Sequence, residues 1–331
     1  MSTDLNFMQS ASSTNATFIR PSKFYLSGLY NVPYAKYYYV FLCFVYIVTV
    51  LGNLFIMGTI YLVRSLHTAK YIAVFNLALC DLCGSSALIP KVLDMFLFEN
   101  QYISYEACLA NMFFVYVFMA LQSLTLLAMA YDRLIAICFP LRYHAIVTKT
   151  AMILIISVMW FLSLSAHALM VALITRLSFC KSTTINSYYC DHGPVYSLAC
   201  NDNSMNSNIG SVFTAALLYF PLMLIALSYV CIGFALHKIS HGVEQIKAIK
   251  TCTSHVILVG MFYLPIISIY TVALTMFIDS NVAIINTALT QTIPSMLNPI
   301  IYTLKTEEVL QSVKVLYKRS KVNSVKKTVK K

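Results

Sequence analysis

The sequence predicts an all-α membrane protein: a bundle of seven transmembrane helices with the N-terminus outside and a short amphipathic eighth helix. Three observations predict this fold. Of the 331 residues, 59% are hydrophobic and only 11% are charged, whereas soluble domains carry about 25% charged residues. The apolar residues form continuous windows, unlike the alternating pattern of barrel strands. Lys and Arg concentrate in every second connection between these windows, which is the asymmetry of the positive-inside rule.

The charge-free windows locate the helices, because about 20 apolar residues cross a bilayer. We expect helices at 37–63, 71–93, 105–138, 150–173, 207–237, 245–275 and 282–303. The chain then divides into an extracellular N-terminal tail (1–36), a seven-helix transmembrane domain (37–303) and a cytoplasmic amphipathic helix with a basic tail (304–331). Val309, Val313, Leu316 and Tyr317 have the helical spacing that predicts an amphipathic helix lying along the membrane.

Most of the net charge of +11 falls on the predicted inner face. With the N-terminus outside, 17 of the 23 Lys and Arg lie in inner loops and the tail, eight of them from Lys314 to Lys331. Anionic membrane lipid is the expected partner of these residues. No nucleic acid partner is expected, because the chain has no soluble basic domain. Asn15 begins the glycosylation sequon Asn15-Ala16-Thr17 in the predicted outer tail.

Four cysteines lie on the predicted outer face. Cys108 is at the top of the third helix, and Cys180, Cys190 and Cys200 lie in the long connection that follows the fourth. An even number of cysteines in an oxidising compartment favours two disulfides. A bond from Cys108 to the connection would lay it over the helix mouth as a lid.

Asp81 is the one formal charge deep within an apolar window. A carboxylate at the bilayer centre costs about 2.5–3.5 kcal/mol, so it requires a partner or an aqueous pocket. Asn53, Gln122 and Asn298 are the candidate partners. Two interpretations remain open: a sodium ion bound by Asp81, Gln122 and Asn298, or a protonated and hydrogen-bonded Asp81 without an ion. No other cofactor is expected.

Two motifs near the inner face indicate a conformational switch. The stretch Met129–Tyr143 reads MAYDRLIAICFPLRY and places Asp132 and Arg133 at the inner end of the third helix. In the seventh helix, Pro299 follows Asn298 and precedes Tyr302. Proline removes a backbone hydrogen bond, and the Asn side chain can help to satisfy the break, so this segment is a natural bend.

These motifs together resemble the rhodopsin-like (class A) G-protein-coupled receptors, and specifically the odorant receptors, from Phe24 to Tyr317. The resemblance is carried by Gly52-Asn53, Leu66-His67-Thr68, MAYDRLIAICFPLRY, Ser228-Tyr229, KAIKTCTSH (247–255), Phe262-Tyr263 and PSMLNPIIY (294–302). Two features depart from the family pattern. Ala69-Lys70-Tyr71 stands where Pro-Met-Tyr is common, and Gln122 stands where an acidic residue is common, which removes one charge from the candidate cation site.

The resemblance implies a plasma-membrane receptor, expected in olfactory neuron cilia, that activates a stimulatory heterotrimeric G protein and raises cyclic AMP. It implies the disulfides Cys108–Cys190 and Cys180–Cys200. It also implies that Asp132 holds Arg133 at rest. On activation the sixth helix would swing outward, and Arg133 would join Tyr229 and Tyr302 around the C-terminus of the G-protein α-subunit.

The ligand pocket implied by the resemblance lies among helices three, five and six, below the lid. Its expected residues are Val115, Tyr116, Met119, Ala120, His192, Phe213, Thr214, Leu217, Tyr263, Ile266, Ile267 and Tyr270. Amine receptors place an Asp where this chain has Val115. We therefore expect no charged anchor, and a neutral or weakly acidic small organic odorant as the ligand.

Two other functions are alternatives. The first is a class A receptor for another non-amine ligand, a peptide or a lipid. The second is a transporter, which would require repeat symmetry and several charged groups along a path. The chain has no G-x-S-x-G, H-E-x-x-H or phosphate-binding loop, so we do not expect an enzyme.

Overall fold

The computed structural model describes residues 19–28, 35–180, 182–238, 242–275, 280–305 and 309–311. Long helices dominate these ranges: α1 (Ala35–Leu62), α2 (Ala69–Leu97), α3 (Tyr105–Cys138), α5 (Lys149–Ile174), α7 (Ser204–Thr214) continuing into α8 (Phe220–Lys238), α9 (Val243–Thr275) and α10 (Ser280–Lys305). Short helices α4 (Tyr143–Ile146) and α6 (His192–Ser197) lie in connections, as do 3-10 turns at Arg64–Leu66 and Pro140–Arg142. The long helices begin and end within a few residues of the predicted bounds.

Six of these segments are long and apolar enough to cross a membrane, counting only the described parts of the chain. Their outward faces are apolar too. On α1, for example, Phe44, Leu51 and Leu54 are exposed. Exposed apolar surface on this scale is unfavourable in water but suits hydrocarbon. The helix α10 is not among the six; it contains two prolines, Pro294 and Pro299, and is buried against α9, α1 and α2.

A small sheet at one end of the bundle was not predicted from the sequence. Strand β1 (Lys23–Leu26) lies between β2 (Tyr102–Ser104) and β3 (Thr184–Ile185), antiparallel to the first and parallel to the second. Alternate residues of β1, Phe24 and Leu26, are fully buried. The sheet therefore ties the segment before α1 to the long loop between α5 and α7.

The helix formed by α7 and α8 contains a π-helical segment at Ala215–Tyr219. Pro221 lies two residues after this segment and has no N–H for the carbonyl of Leu217, four residues before it. The hydroxyl of Ser123 in α3 donates to that carbonyl at 2.7 Å. A hydroxyl from the neighbouring helix α3 therefore replaces the backbone donor that Pro221 lacks.

Replacing Ser123 with alanine should destabilise the fold, because it removes the hydrogen-bond partner of the buried Tyr263 hydroxyl and the donor to the half-buried Leu217 carbonyl. We expect a loss of about 1–3 kcal/mol, the cost of such an unsatisfied group. Thermal unfolding of the detergent-solubilised protein measures it. The matched control is Ser165→Ala, since Ser165 is exposed and bonds only to Phe161 of its own helix. Equal melting temperatures for the two variants would contradict this account.

Several predictions fall outside the described residues. These are glycosylation at Asn15, the basic tail from Lys314, and most of the amphipathic segment, of which Val309 and Leu310 are described with Val309 buried. The side chain of Tyr270 also lies outside them.

Candidate functional site

Two disulfides define one end of the bundle, which we call the disulfide end. Cys108 is bonded to Cys190, with a Cα–Cα distance of 5.3 Å, and Cys180 is bonded to Cys200, with a Cα–Cα distance of 5.8 Å. These are the pairs that the family resemblance implied. The first bond fixes the long loop to the start of α3, so the residues beside Cys190 lie over the mouth of the bundle.

Asn111 adds a second attachment for the loop. Its side-chain oxygen accepts from the Cys190 backbone N–H at 3.1 Å, and its side-chain nitrogen donates to the Ala87 carbonyl of α2 at 2.8 Å. The loop is therefore held to both α3 and α2. Such an attachment restricts the loop to one position over the helices.

Beneath the loop lies a cavity of about 610 Å³, which is within the range of small-molecule sites. Many of the predicted pocket residues line it: Tyr116, Met119 and Ala120 from α3, His192 from α6, Phe213 and Thr214 from α7, Leu217 from the π segment and Ile266 from α9. The walls are mostly apolar with a few polar groups, as expected for a site that takes a small organic molecule.

Three predicted pocket residues lie elsewhere. Val115 faces a separate small cavity of about 20 Å³ with Gln122 and Phe262, because it is turned about 100° from Tyr116 around the helix. Tyr263 is buried, and its hydroxyl is 2.7 Å from the Ser123 hydroxyl. Ile267 packs against the main apolar core and is not part of the described cavity wall.

Asp191 corrects the expectation of a pocket without a charged group. It lines the cavity and accepts a hydrogen bond from the Tyr116 hydroxyl at 2.5 Å. Burial raises the pKa of Asp191, while the Tyr116 hydroxyl and the backbone N–H of Gly193 oppose part of that rise. The sequence contained an indication that Asp191 lies at the cavity, since a residue next to Cys190 must lie near α3 once the Cys108–Cys190 disulfide forms.

Other lining residues were also missed, among them His167, Met170, Tyr189, Thr290 and Gln291. They come from α5, from the loop and from α10, whereas the helical pocket residues predicted from the sequence belong to helices three, five and six. His192 was predicted. Burial, and then the neighbouring His167, lower the pKa of His192 to about 4, so this imidazole is uncharged at neutral pH.

The buried carboxylate of Asp81 is surrounded by hydrogen-bond donors. Gln122 donates to one oxygen and Asn298 to the other, each at 2.7 Å, and Ser295 donates at 3.3 Å. Asn53, the third predicted partner, instead donates to the Thr49 and Ser295 carbonyls. A cation requires oxygen ligands. The amide nitrogens of Gln122 and Asn298, and not their oxygens, face Asp81. In this orientation the two amides cannot serve as sodium ligands, and both would have to rotate by about 180° to do so.

The opposite end of the bundle, which we call the Arg133 end, contains the residues of the predicted switch. The Arg133 guanidinium is 3.5 Å from Asp132, and Tyr143 donates to the same carboxylate at 2.7 Å. The Tyr229 hydroxyl bonds to His255, which in turn bonds to the Leu126 carbonyl of α3. Tyr302 bonds to the sulfur of Met129. Pro299 lies so close to α1 that only glycine fits at Gly52.

A bundle of membrane-length helices with a covered cavity at one end and an Asp-Arg pair at the other defines a receptor-like membrane protein. Comparison with known proteins makes this specific. The family model for the olfactory receptor matches residues 42–319, and the chain belongs to the olfactory receptor family. The family implies a seven-transmembrane bundle, in a multi-pass membrane protein that is a receptor and not an enzyme.

Individual olfactory receptors are similar in sequence to this chain over most of their length. Mouse olfactory receptor 5K16 is 37% identical over 83% of this chain and 85% of its own. Mouse olfactory receptor 8C8 is 37% identical over 90% of this chain and 95% of its own. Human olfactory receptor 51F2 is 36% identical over 93% of this chain and 92% of its own.

Proposed function

We propose that this chain is an odorant receptor that binds a small organic odorant in the cavity and activates a stimulatory olfactory-type G protein, which raises cyclic AMP. The observation that carries the proposal is the covered cavity of about 610 Å³ at one end of α3, with the Asp132–Arg133 pair at the other end. The proposed location is the plasma membrane, with the disulfide end outside, where the oxidising environment favours these bonds.

Helix α3 is the proposed connection between the two ends. Tyr116, Met119 and Ala120 line the cavity. Next along α3, Ser123 bonds to both the π segment and Tyr263 of α9. A ligand shifts a conformational equilibrium only by binding one state more tightly, with typical couplings of about 1–3 kcal/mol. A ligand that displaces Tyr263 or the π segment would therefore bias the position of α9.

In the activated state, Arg133 would leave Asp132 and join Tyr229 and Tyr302 around the C-terminus of the G-protein α-subunit. In the present structure those two hydroxyls bond to His255 and Met129 instead. This is consistent with a resting state. The basic tail from Lys314 would bind anionic membrane lipid beside the G protein.

The proposal is tested by measuring cyclic AMP in cells that express the chain with an olfactory G protein. The cells are exposed to a broad panel of odorants. The expected result is a dose-dependent response to at least one compound. Silence of the surface-expressed receptor towards all compounds, without any basal signal above that of the G protein alone, would contradict it.

Tyr116→Ala should change which odorants act, because it removes a ring from the cavity wall and the hydroxyl that bonds to Asp191. We expect shifts of about tenfold in half-maximal concentration, equivalent to about 1.4 kcal/mol, and different shifts for different odorants. Phe114→Ala is the control, since Phe114 lies on the exposed side of the same helix. Uniform shifts for all odorants would contradict a ligand contact at Tyr116.

A further inference from the structure

Two histidines face the cavity from different elements. His167 belongs to α5, and His192 begins α6. Both side chains line the cavity, and both residues are at least nine-tenths buried. Neither belongs to the switch proposed at the Arg133 end, and what each ring offers a ligand depends on its hydrogen bonds.

The hydrogen bond of His167 decides what this ring offers. Its Nδ1 lies 2.8 Å from the Ser163 carbonyl. A carbonyl only accepts hydrogen bonds, so Nδ1 carries the proton, and in the uncharged ring Nε2 is an acceptor. The ring stacks on Tyr116 with centroids 6.0 Å apart and meets the edge of Phe213 at 6.2 Å. These contacts hold the imidazole in the wall of the cavity.

His192 offers a second nitrogen. Its Nε2 is buried and has no hydrogen-bond partner within the described parts of the chain. Gly210 lies behind the ring, where a Cβ atom would be only 3.2 Å from it. A buried polar atom without a partner costs free energy, so a ligand that bonds to Nε2 gains affinity. An uncharged imidazole can present this nitrogen either as donor or as acceptor.

The charge of the cavity wall restricts the ligand further. Asp191 is the one acidic residue of the described wall, which contains no Lys or Arg. A carboxylate ligand would lose its hydration without gaining a cation, which is unfavourable. Asp191 itself already accepts from Tyr116. The remaining wall combines apolar residues, including Met119, Phe213 and Ile266, with uncharged Ser, Thr, Tyr and Gln side chains.

We propose that the preferred ligands are neutral hydroxyl compounds, aliphatic or aromatic alcohols, whose O–H donates to Nε2 of His167 and whose oxygen accepts from His192. This inference rests on the proposed function and specifies its ligand class. An aldehyde or ester of the same skeleton has no proton for His167. A hydroxyl group has both a donor and an acceptor, so it can satisfy both imidazoles at once.

A matched ligand series tests the inference. The probes are 1-octanol, octanal, octanoic acid and octylamine, and the same four functional groups on a shorter, a cyclic and an aromatic skeleton. The readout is cyclic AMP in cells that express the full chain and an olfactory G protein. For at least one skeleton we expect the alcohol to be about tenfold more potent than the aldehyde, and the acid to be inactive.

Variants of His167 separate the hydrogen bond from simple packing. His167→Asn can keep the bond to Ser163 but removes the acceptor at Nε2, so the alcohol should lose its tenfold advantage over the aldehyde. His167→Gln can place an amide oxygen near the position of Nε2 and should retain part of that advantage. Ser165→Ala, on the exposed side of α5, should leave the ratio unchanged.

Several results would overturn the inference. One is an alcohol-to-aldehyde ratio that is the same in His167→Asn and wild type. Another is a stronger response to acids, or to amines through Asp191, than to alcohols. The absence of a response to every probe also overturns it. The basal cyclic AMP of cells that express the receptor and the G protein, compared with that of cells that express the G protein alone, reports separately on G-protein coupling. It therefore distinguishes a failure of this inference from a failure of the proposed function.

Discussion

Arg133→Ala is expected to abolish the odorant-evoked rise in cyclic AMP while leaving the amount of receptor at the cell surface close to that of wild type. Arg133 is largely buried and lies beside Asp132. In the proposed mechanism this guanidinium leaves Asp132 and contacts the G protein, and alanine can make neither interaction. The response should fall at least about fivefold, since the couplings of about 1–3 kcal/mol that are typical of such switches correspond to about 5–150-fold.

The control for this experiment is Arg142→Ala, which removes an equal charge from the same end of the bundle. Arg142 is exposed in the turn after α3, so its loss should have a small effect. Surface labelling of intact cells must accompany both measurements, because Asp132 loses its basic neighbour in the Arg133 variant. A full odorant response from Arg133→Ala at matched surface expression would refute the mechanism.

Removing the Cys108–Cys190 disulfide by replacing both cysteines with serine is expected to give the largest loss of stability. The bond closes a loop with a sequence separation of 82 residues, against 20 for Cys180–Cys200. Chain entropy predicts a contribution of about 4.5 kcal/mol for the longer loop and about 3.3 kcal/mol for the shorter one. The odorant response should also be lost, because Asp191 and His192 follow directly after Cys190.

Thermal unfolding of the detergent-solubilised protein and odorant-evoked cyclic AMP measure the two effects. The double serine variant of Cys180 and Cys200 is the matched comparison and should be less destabilised. Cys43→Ser is a control for the loss of a thiol, as Cys43 is not in a disulfide. An unchanged melting temperature and response without the Cys108–Cys190 bond would show that the loop does not form the roof of the site.

The helices were the most predictable part of this protein. Continuous apolar windows, interrupted by charges, placed α3 at residues 105–138, as the structure has it, because a bilayer tolerates few charges within a span. The sheet was not predicted. Its strands are two to four residues long and pair across distant parts of the chain, and local sequence pattern does not encode such pairing.

The polar groups inside the bundle also divide into features that the sequence predicts and features that only the structure shows. Asp81 was identified from the sequence as a buried carboxylate that needs partners, and Gln122 and Asn298 do donate to it. Ser295 was not anticipated as a third donor, and Asn53 bonds to carbonyl groups instead. The sequence predicts the desolvation of Asp81, because it depends only on the residue and on the apolar segment around it. The choice of hydrogen-bond partner depends on how the neighbouring helices are rotated, which the sequence pattern does not give.

The sequence by itself determined that this is a membrane protein, where its helices run, and which motifs place it among the odorant receptors. Composition and one-dimensional patterns suffice for these properties, because the bilayer acts on each segment separately. Only the tertiary structure decided what lines the cavity. A rotation of about 100° per residue turned Val115 away from it, and the Cys108–Cys190 bond brought Asp191 and His192 to it. The approach of α5 placed His167 beside Tyr116, a contact that depends on the mutual packing of helices.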